Sequence, residues 1–109
     1  MTIQKEILEG DLPNLIDSVV LKMIRQYYDL KLSDISEHMG IKPQYLSDME
    51  SNRRPLNIER KKEYIKALKT LVNVTPKEIM EFHRLYLVVS RMHNEREFKK
   101  YLGLKQNVN

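Results

Sequence analysis

Residues Leu30–Pro55 read L-K-L-S-D-I-S-E-H-M-G-I-K-P-Q-Y-L-S-D-M-E-S-N-R-R-P. Two short apolar-periodic segments flank a single glycine, and an arginine pair follows the second. Ile35 and Met39 are four apart and share one face of a short helix. Gly40 can adopt positive φ and end that helix. Ile41 plugs the corner, and Pro43 suits the first turn of a second helix, where its missing N–H costs nothing. Leu46, Met49 and Glu50 continue at helical spacing. Two helices joined by a short, glycine-containing turn form a helix-turn-helix unit.

At these residues the chain resembles the lambda-repressor-like (Cro-type) helix-turn-helix family of bacterial and phage regulators. The matching positions are Arg25, Leu30, Ile35, Ser36, Met39, Gly40, Ile41, Tyr45, Leu46, Glu50, Arg53 and Pro55, and the pattern spans roughly residues 16–71. Ser36 stands where that family uses a small residue so that its two helices cross closely. Three positions depart from the pattern. Lys31 replaces the usual Ser/Thr cap, Leu32 replaces a glutamine that often touches phosphate, and Asn52 replaces the glycine after the second helix of the motif. Asparagine tolerates the left-handed conformation that the glycine would adopt. The resemblance implies a compact all-α, five-helix domain with a C-terminal helical extension. It also implies that Arg25 and Glu50 form a structural ion pair between the first and third helices.

Outward from the motif, the chain reads as helical throughout. Asp11 can cap a long helix with Pro13 in its first turn, and Leu15, Ile16, Val19, Val20, Met23, Ile24 and Tyr27 recur at three and four to about Asp29. After the loop Asn52–Leu56, in which Pro55 stops helix continuation, Asn57 can cap a helix whose buried stripe is Ile58, Tyr64, Ile65, Leu68 and Leu71. Thr75, Pro76 and Glu78 have capping-box spacing. The helix they open is expected to reach about His93. Its apolar face takes Ile79, Phe82 or His83, Leu85, Tyr86, Val89 and Met92, with Met80, Leu87 and Val88 partly off it. Asn94 can cap a short helix over Glu95–Leu102, carrying Phe98, Tyr101 and Leu102 and ended by Gly103. Lys105–Asn109 is expected to be loose. The expected organisation is an N-terminal arm at 1–11, a DNA-binding domain at 12–74 and a C-terminal extension at 75–109.

A chain of 109 residues allows one modest core. It has no cysteine, hence no disulfide, thiolate nucleophile or cysteine-ligated zinc, which fits a reducing cytoplasm. No apolar run approaches membrane-span length, and the polar, acidic start does not read as a secretory signal. The net charge of +4 is unevenly spread. Residues 1–20 carry a net −3, and residues 41–70 carry eight Lys/Arg against four Asp/Glu. A basic stretch over the proposed reading helix suits phosphate attraction, although a solvated lysine-rich face has the same composition.

An enzyme would need convergent groups. His38, His83 and His93 have no partner histidine at i+4, and there is no glycine-rich phosphate loop, nucleophile elbow or paired-carboxylate arrangement. The expectation is a non-enzymatic protein with no metal and no cofactor. The candidate chemistry is base reading. Gln44 can bond an adenine edge or reach phosphate, Asp48 can accept from cytosine N4, and Ser47 can bond either way. Tyr45 can offer its hydroxyl to phosphate or its ring to a thymine methyl, or pack partly into the core. Asp48 can alternatively hold Arg53 in place. Lys42, Arg53 and Arg54, with Lys31 and Ser33, are expected to contact phosphate, supplying affinity rather than sequence choice.

The expected partner is double-stranded DNA, bound at an inverted repeat by a homodimer whose reading helices lie ~34 Å apart. Phe82, Leu85, Tyr86, Val89, Met92 and Phe98 are the expected dimer interface, with folding back onto the domain as the competing arrangement. The resulting expectation is a cytoplasmic, sequence-specific transcriptional regulator, a repressor of the phage or mobile-element type that acts by covering promoter DNA. The alternative is an antitoxin-like or adaptor protein whose C-terminal helices bind a protein partner.

Overall fold

A computed structural model describes residues 12–90. Among these residues the chain is all-helical. One helical turn at 12–15 leads into α1 (Ser18–Tyr27), α2 (Leu32–Met39), α3 (Pro43–Glu50), α4 (Ile58–Val72) and α5 (Pro76–Ser90). The N-terminal arm, the Asp11 cap, Met92, the helix end at His93 and the Asn94-capped helix with Phe98 lie outside the described residues.

The first helix is not the single long one expected. The chain breaks at Asp17, which is extended (φ −81°, ψ 156°) and accepts from the Val19 amide at 2.9 Å. An aspartate side chain satisfies an orphan amide at a helix start better than it serves a helix interior, so it divides the apolar run there. Leu12 and Ile16 still reach the core, whereas Leu15 is exposed. At its other end α1 closes in a Schellman turn. Asp29 is left-handed (φ 57°), its amide donates to the Gln26 carbonyl at 3.0 Å, and the Leu30 amide donates to the Arg25 carbonyl at 3.0 Å.

That turn corrects the expected core stripe. Tyr27 is 70% exposed, and Tyr28 packs against the core instead. Both lie within one turn of Ile24, so periodicity alone allowed either. The choice comes from α5, where Glu78 accepts from the Tyr28 hydroxyl at 3.1 Å. Ile58 and Leu71, also expected in the core, are exposed at the two ends of α4. Tyr64, Ile65, Ala67 and Leu68 form its buried face.

α1 is the central element and packs against α3, α4 and α5, while α2 packs against α3 and α4. Gly40 (φ 69°) ends α2, and the three residues Gly40 to Lys42 turn the chain into α3, with Pro43 at its start. Ser36 is buried where α2 meets its neighbours. Lys31 provides no side-chain cap for α2. Its amide donates to the Asp34 carboxylate at 2.7 Å instead.

α5 begins in a reciprocal capping box. The Thr75 amide donates to Glu78 Oε1 at 2.9 Å, and the Glu78 amide donates to Thr75 Oγ1 at 3.1 Å. The Thr75 backbone amide, the Thr75 hydroxyl and then the Tyr28 hydroxyl hold the Glu78 carboxyl below its ordinary value of 4.5. A lowered carboxyl pKa contributes stability that is complete above the ordinary value and disappears as pH falls through the folded value. Glu78→Gln should therefore destabilise the protein near neutral pH, with the difference from wild type shrinking below about pH 4.5. Urea titrations at pH 7 and pH 3 test this; an equal difference at both would refute a role for the charge.

Candidate functional site

α3 presents two chemically distinct faces. Leu46, Met49 and Glu50 are buried, so Gln44, Tyr45, Ser47 and Asp48 are turned toward solvent, with Gln44 and Tyr45 the more exposed.

Behind the helix, Glu50 fixes its position. Arg25 donates from Nε to Glu50 Oε2 at 2.8 Å and from Nη2 to Oε1 at 2.9 Å. A third Arg25 donor, Nη1, reaches the Leu30 carbonyl at 2.9 Å. The Tyr64 hydroxyl of α4 donates to Glu50 Oε2. One bidentate fork and one phenol thus tie α3 to α1 and α4. The Glu50 hydrogen bond raises the Arg25 pKa, and burial, reinforced by the Glu50 charge, raises that of Tyr64.

In front of the helix, Gln44, Tyr45 and Asp48 belong to one connected cluster. Gln44 Nε2 donates to Asp48 Oδ1 at 3.1 Å, one helical turn away. Asp48 also meets both arginines of the following loop, with Arg53 Nε 3.7 Å from Oδ1 and Arg54 Nε 3.6 Å from Oδ2. The loop itself is anchored to Asp48, whose carbonyl accepts from the Arg53 and Arg54 amides at 2.8 and 3.1 Å. Asn52 makes this return possible. It is left-handed (φ 64°), and its Oδ1 accepts from the buried Ser18 hydroxyl at 2.9 Å. At this position asparagine supplies both the positive φ and a side-chain tether, which glycine would lack.

Tyr45 is exposed rather than core. Arg54 lies 4.8 Å and Arg60 5.8 Å from its ring centroid. A guanidinium over an aromatic face is an attractive contact and orients the ring. Arg60 was not among the residues expected at this face. It comes from the first turn of α4, where its amide donates to the capping Asn57 side chain at 2.9 Å and its guanidinium donates to Glu63 at 2.9 Å. The Glu63 hydrogen bond raises its pKa. The only hint in the sequence was the basic excess across residues 41–70.

Lys42 is exposed at the N-cap of α3. Lys31 and Ser33 sit at the start of α2, with no hydrogen bond or ion pair joining them to the α3 cluster among the described residues. The cluster therefore offers cationic groups from the start of α3, the following loop and the start of α4. Between them it holds an amide, a phenol, a hydroxyl and a carboxylate, all able to bond a polar edge.

The expected dimer residues divide differently. Phe82 and Tyr86 are partly buried against the chain's own core, and Val89 is half-buried. Leu85, Leu87 and Val88 are the exposed apolar residues of α5. Leu87 and Val88 were expected to lie partly off the apolar face. Among the described residues no group of three His, Cys, Asp or Glu could hold a metal ion, and no helix is long and apolar enough to cross a membrane. Compared with family models, curated proteins and solved structures, the chain has no match in any of the three.

Proposed function

We propose that this protein is a sequence-specific DNA-binding transcriptional regulator. It is a repressor of the phage or mobile-element type that uses a lambda-repressor-like helix-turn-helix domain. The observation that carries this reading is the outward row Gln44, Tyr45, Ser47 and Asp48 on a helix fixed from behind by Glu50 and flanked by Lys42, Arg53, Arg54 and Arg60. An α-helix carrying short polar side chains fits the major groove, and flanking cations suit its phosphates. The Gln44 amide is already oriented for this task. One N–H is taken by Asp48, leaving the carbonyl oxygen and a second N–H for an adenine edge.

The operator is an inverted repeat bound by a homodimer, and the apolar face of the 75–109 segment supplies the dimer contacts. Exposed Leu85, Leu87 and Val88 favour a protein contact on α5. They equally suit the second reading, an adaptor or antitoxin-like protein whose C-terminal helices bind a different chain. Light scattering of the purified protein separates the two, because a monomer at high concentration counts against the homodimer.

Selection of bound sites from random duplex DNA tests the main reading. Gln44→Ala should cost about 1–3 kcal/mol of discrimination at one position of each half-site. Arg53→Ala should weaken binding to the operator and reduce its salt slope by about 0.9. An unchanged site preference in Gln44→Ala would remove Gln44 from the reading face.

A further inference from the structure

We propose that Asp48 determines specificity by withholding Arg53 and Arg54 from the phosphates of non-cognate DNA. The inference rests on the reading of this face as a duplex-DNA surface and adds to it a mechanism of discrimination.

The geometry concentrates two opposed roles in one residue. The Asp48 carbonyl holds the Arg53 and Arg54 amides at 2.8 and 3.1 Å, fixing where both side chains begin. Its carboxylate then meets both guanidinium groups, at 3.7 and 3.6 Å. These separations mark ion pairs without a hydrogen bond between the charged groups, and the arginine side chains are 70% and 53% exposed. Such contacts are weak and exchange readily, so a phosphate oxygen can displace the carboxylate. The Asp48 side chain itself is only 22% exposed and lies on the face that would enter the groove.

Displacement has a consequence that depends on the base. Once its arginines leave for phosphate, the carboxylate keeps only the Gln44 N–H. Opposite a base edge that offers only acceptors, it is left short of donors in a surface that has lost its water, which is unfavourable. Opposite cytosine N4, it gains a donor. On cognate DNA both arginines are therefore released to phosphate at no loss to Asp48. Where only acceptors face it, the protein keeps either a satisfied carboxylate or two phosphate contacts, but not both. Asp48 couples base identity to the strength of the backbone grip.

Asp48→Asn tests this, since it preserves the shape and the backbone carbonyl while removing the charge. Binding of the full chain to a random-sequence duplex and to the selected operator would be followed by fluorescence anisotropy across a salt series. The variant should bind random duplex about 3–10-fold tighter, with a salt slope steeper by about 1–2, because each freed arginine adds about 0.9. Its operator-to-random ratio should fall about 10-fold or more. In an Arg53→Ala/Arg54→Ala background the same substitution should bring no gain. Glu81→Gln, an exposed charge removal on α5, controls for net charge and should leave the slope unchanged. Asp48→Ala, with the same expectations, serves if the asparagine variant does not fold.

If wild type selects an operator but Asp48→Asn gains no more on random duplex than Glu81→Gln, the inference fails while the DNA-binding reading stands. If the wild-type chain binds no duplex at all, both fail.

Discussion

Arg25→Met should destabilise the protein by about 3–5 kcal/mol, the usual cost of removing one partner from a buried ion pair. The side chains of Arg25 and Glu50 are 11% and 4% exposed. Without the guanidinium, Glu50 keeps only the Tyr64 hydroxyl, and the Leu30 carbonyl loses the Arg25 donor. Native stability is on the order of 5–15 kcal/mol, so the loss is a large fraction of the whole. The penalty lies in the stranded charge rather than in the value of the pair. The combined variant Arg25→Met, Glu50→Leu and Tyr64→Phe should therefore recover much of the loss. Urea denaturation followed by circular dichroism measures both; a single-variant cost below about 1 kcal/mol would show that solvent reaches the pair freely.

Ile79→Ala should cost about 2–5 kcal/mol, as for a buried aliphatic side chain elsewhere in a core. Ile79 is fully buried with residues of α1 to α4, although it belongs to the segment expected to form a separate extension. Val88→Ala, on the exposed side of the same helix, should change the stability of the monomer little. If Ile79→Ala cost no more than Val88→Ala, α5 would be an appended element rather than part of the core. A midpoint for Val88→Ala that depends on protein concentration differently from wild type would report on association through that face.

The turn from α2 to α3 was legible because local chemistry determines it. Gly40 accommodates positive φ, Pro43 suits a helix start, and the apolar spacing of Ile35, Met39, Leu46 and Met49 leaves each helix one face to bury. The outward position of Gln44 and Asp48 follows from the same periodicity. The capping box at Thr75 and Glu78 was legible for a related reason, since its bonds span three residues.

Other features required contacts between segments distant in sequence. Asp17 divides the first apolar run, and both i+3 and i+4 from Ile24 carry a tyrosine, so tertiary contacts, with the core and with Glu78 on α5, distinguish Tyr28 from Tyr27. Arg60 reaches the outward face of α3 because α4 starts beside Tyr45, which no local pattern encodes.

Helix identity, the corner at Gly40 and the inward side of each short helix are properties of neighbouring residues, because backbone conformation and side-chain spacing act over one or two turns. Which of two adjacent aromatics is buried, which arginines converge on Asp48 and how far α5 joins the core were settled by packing, because those energies exist only once remote surfaces meet.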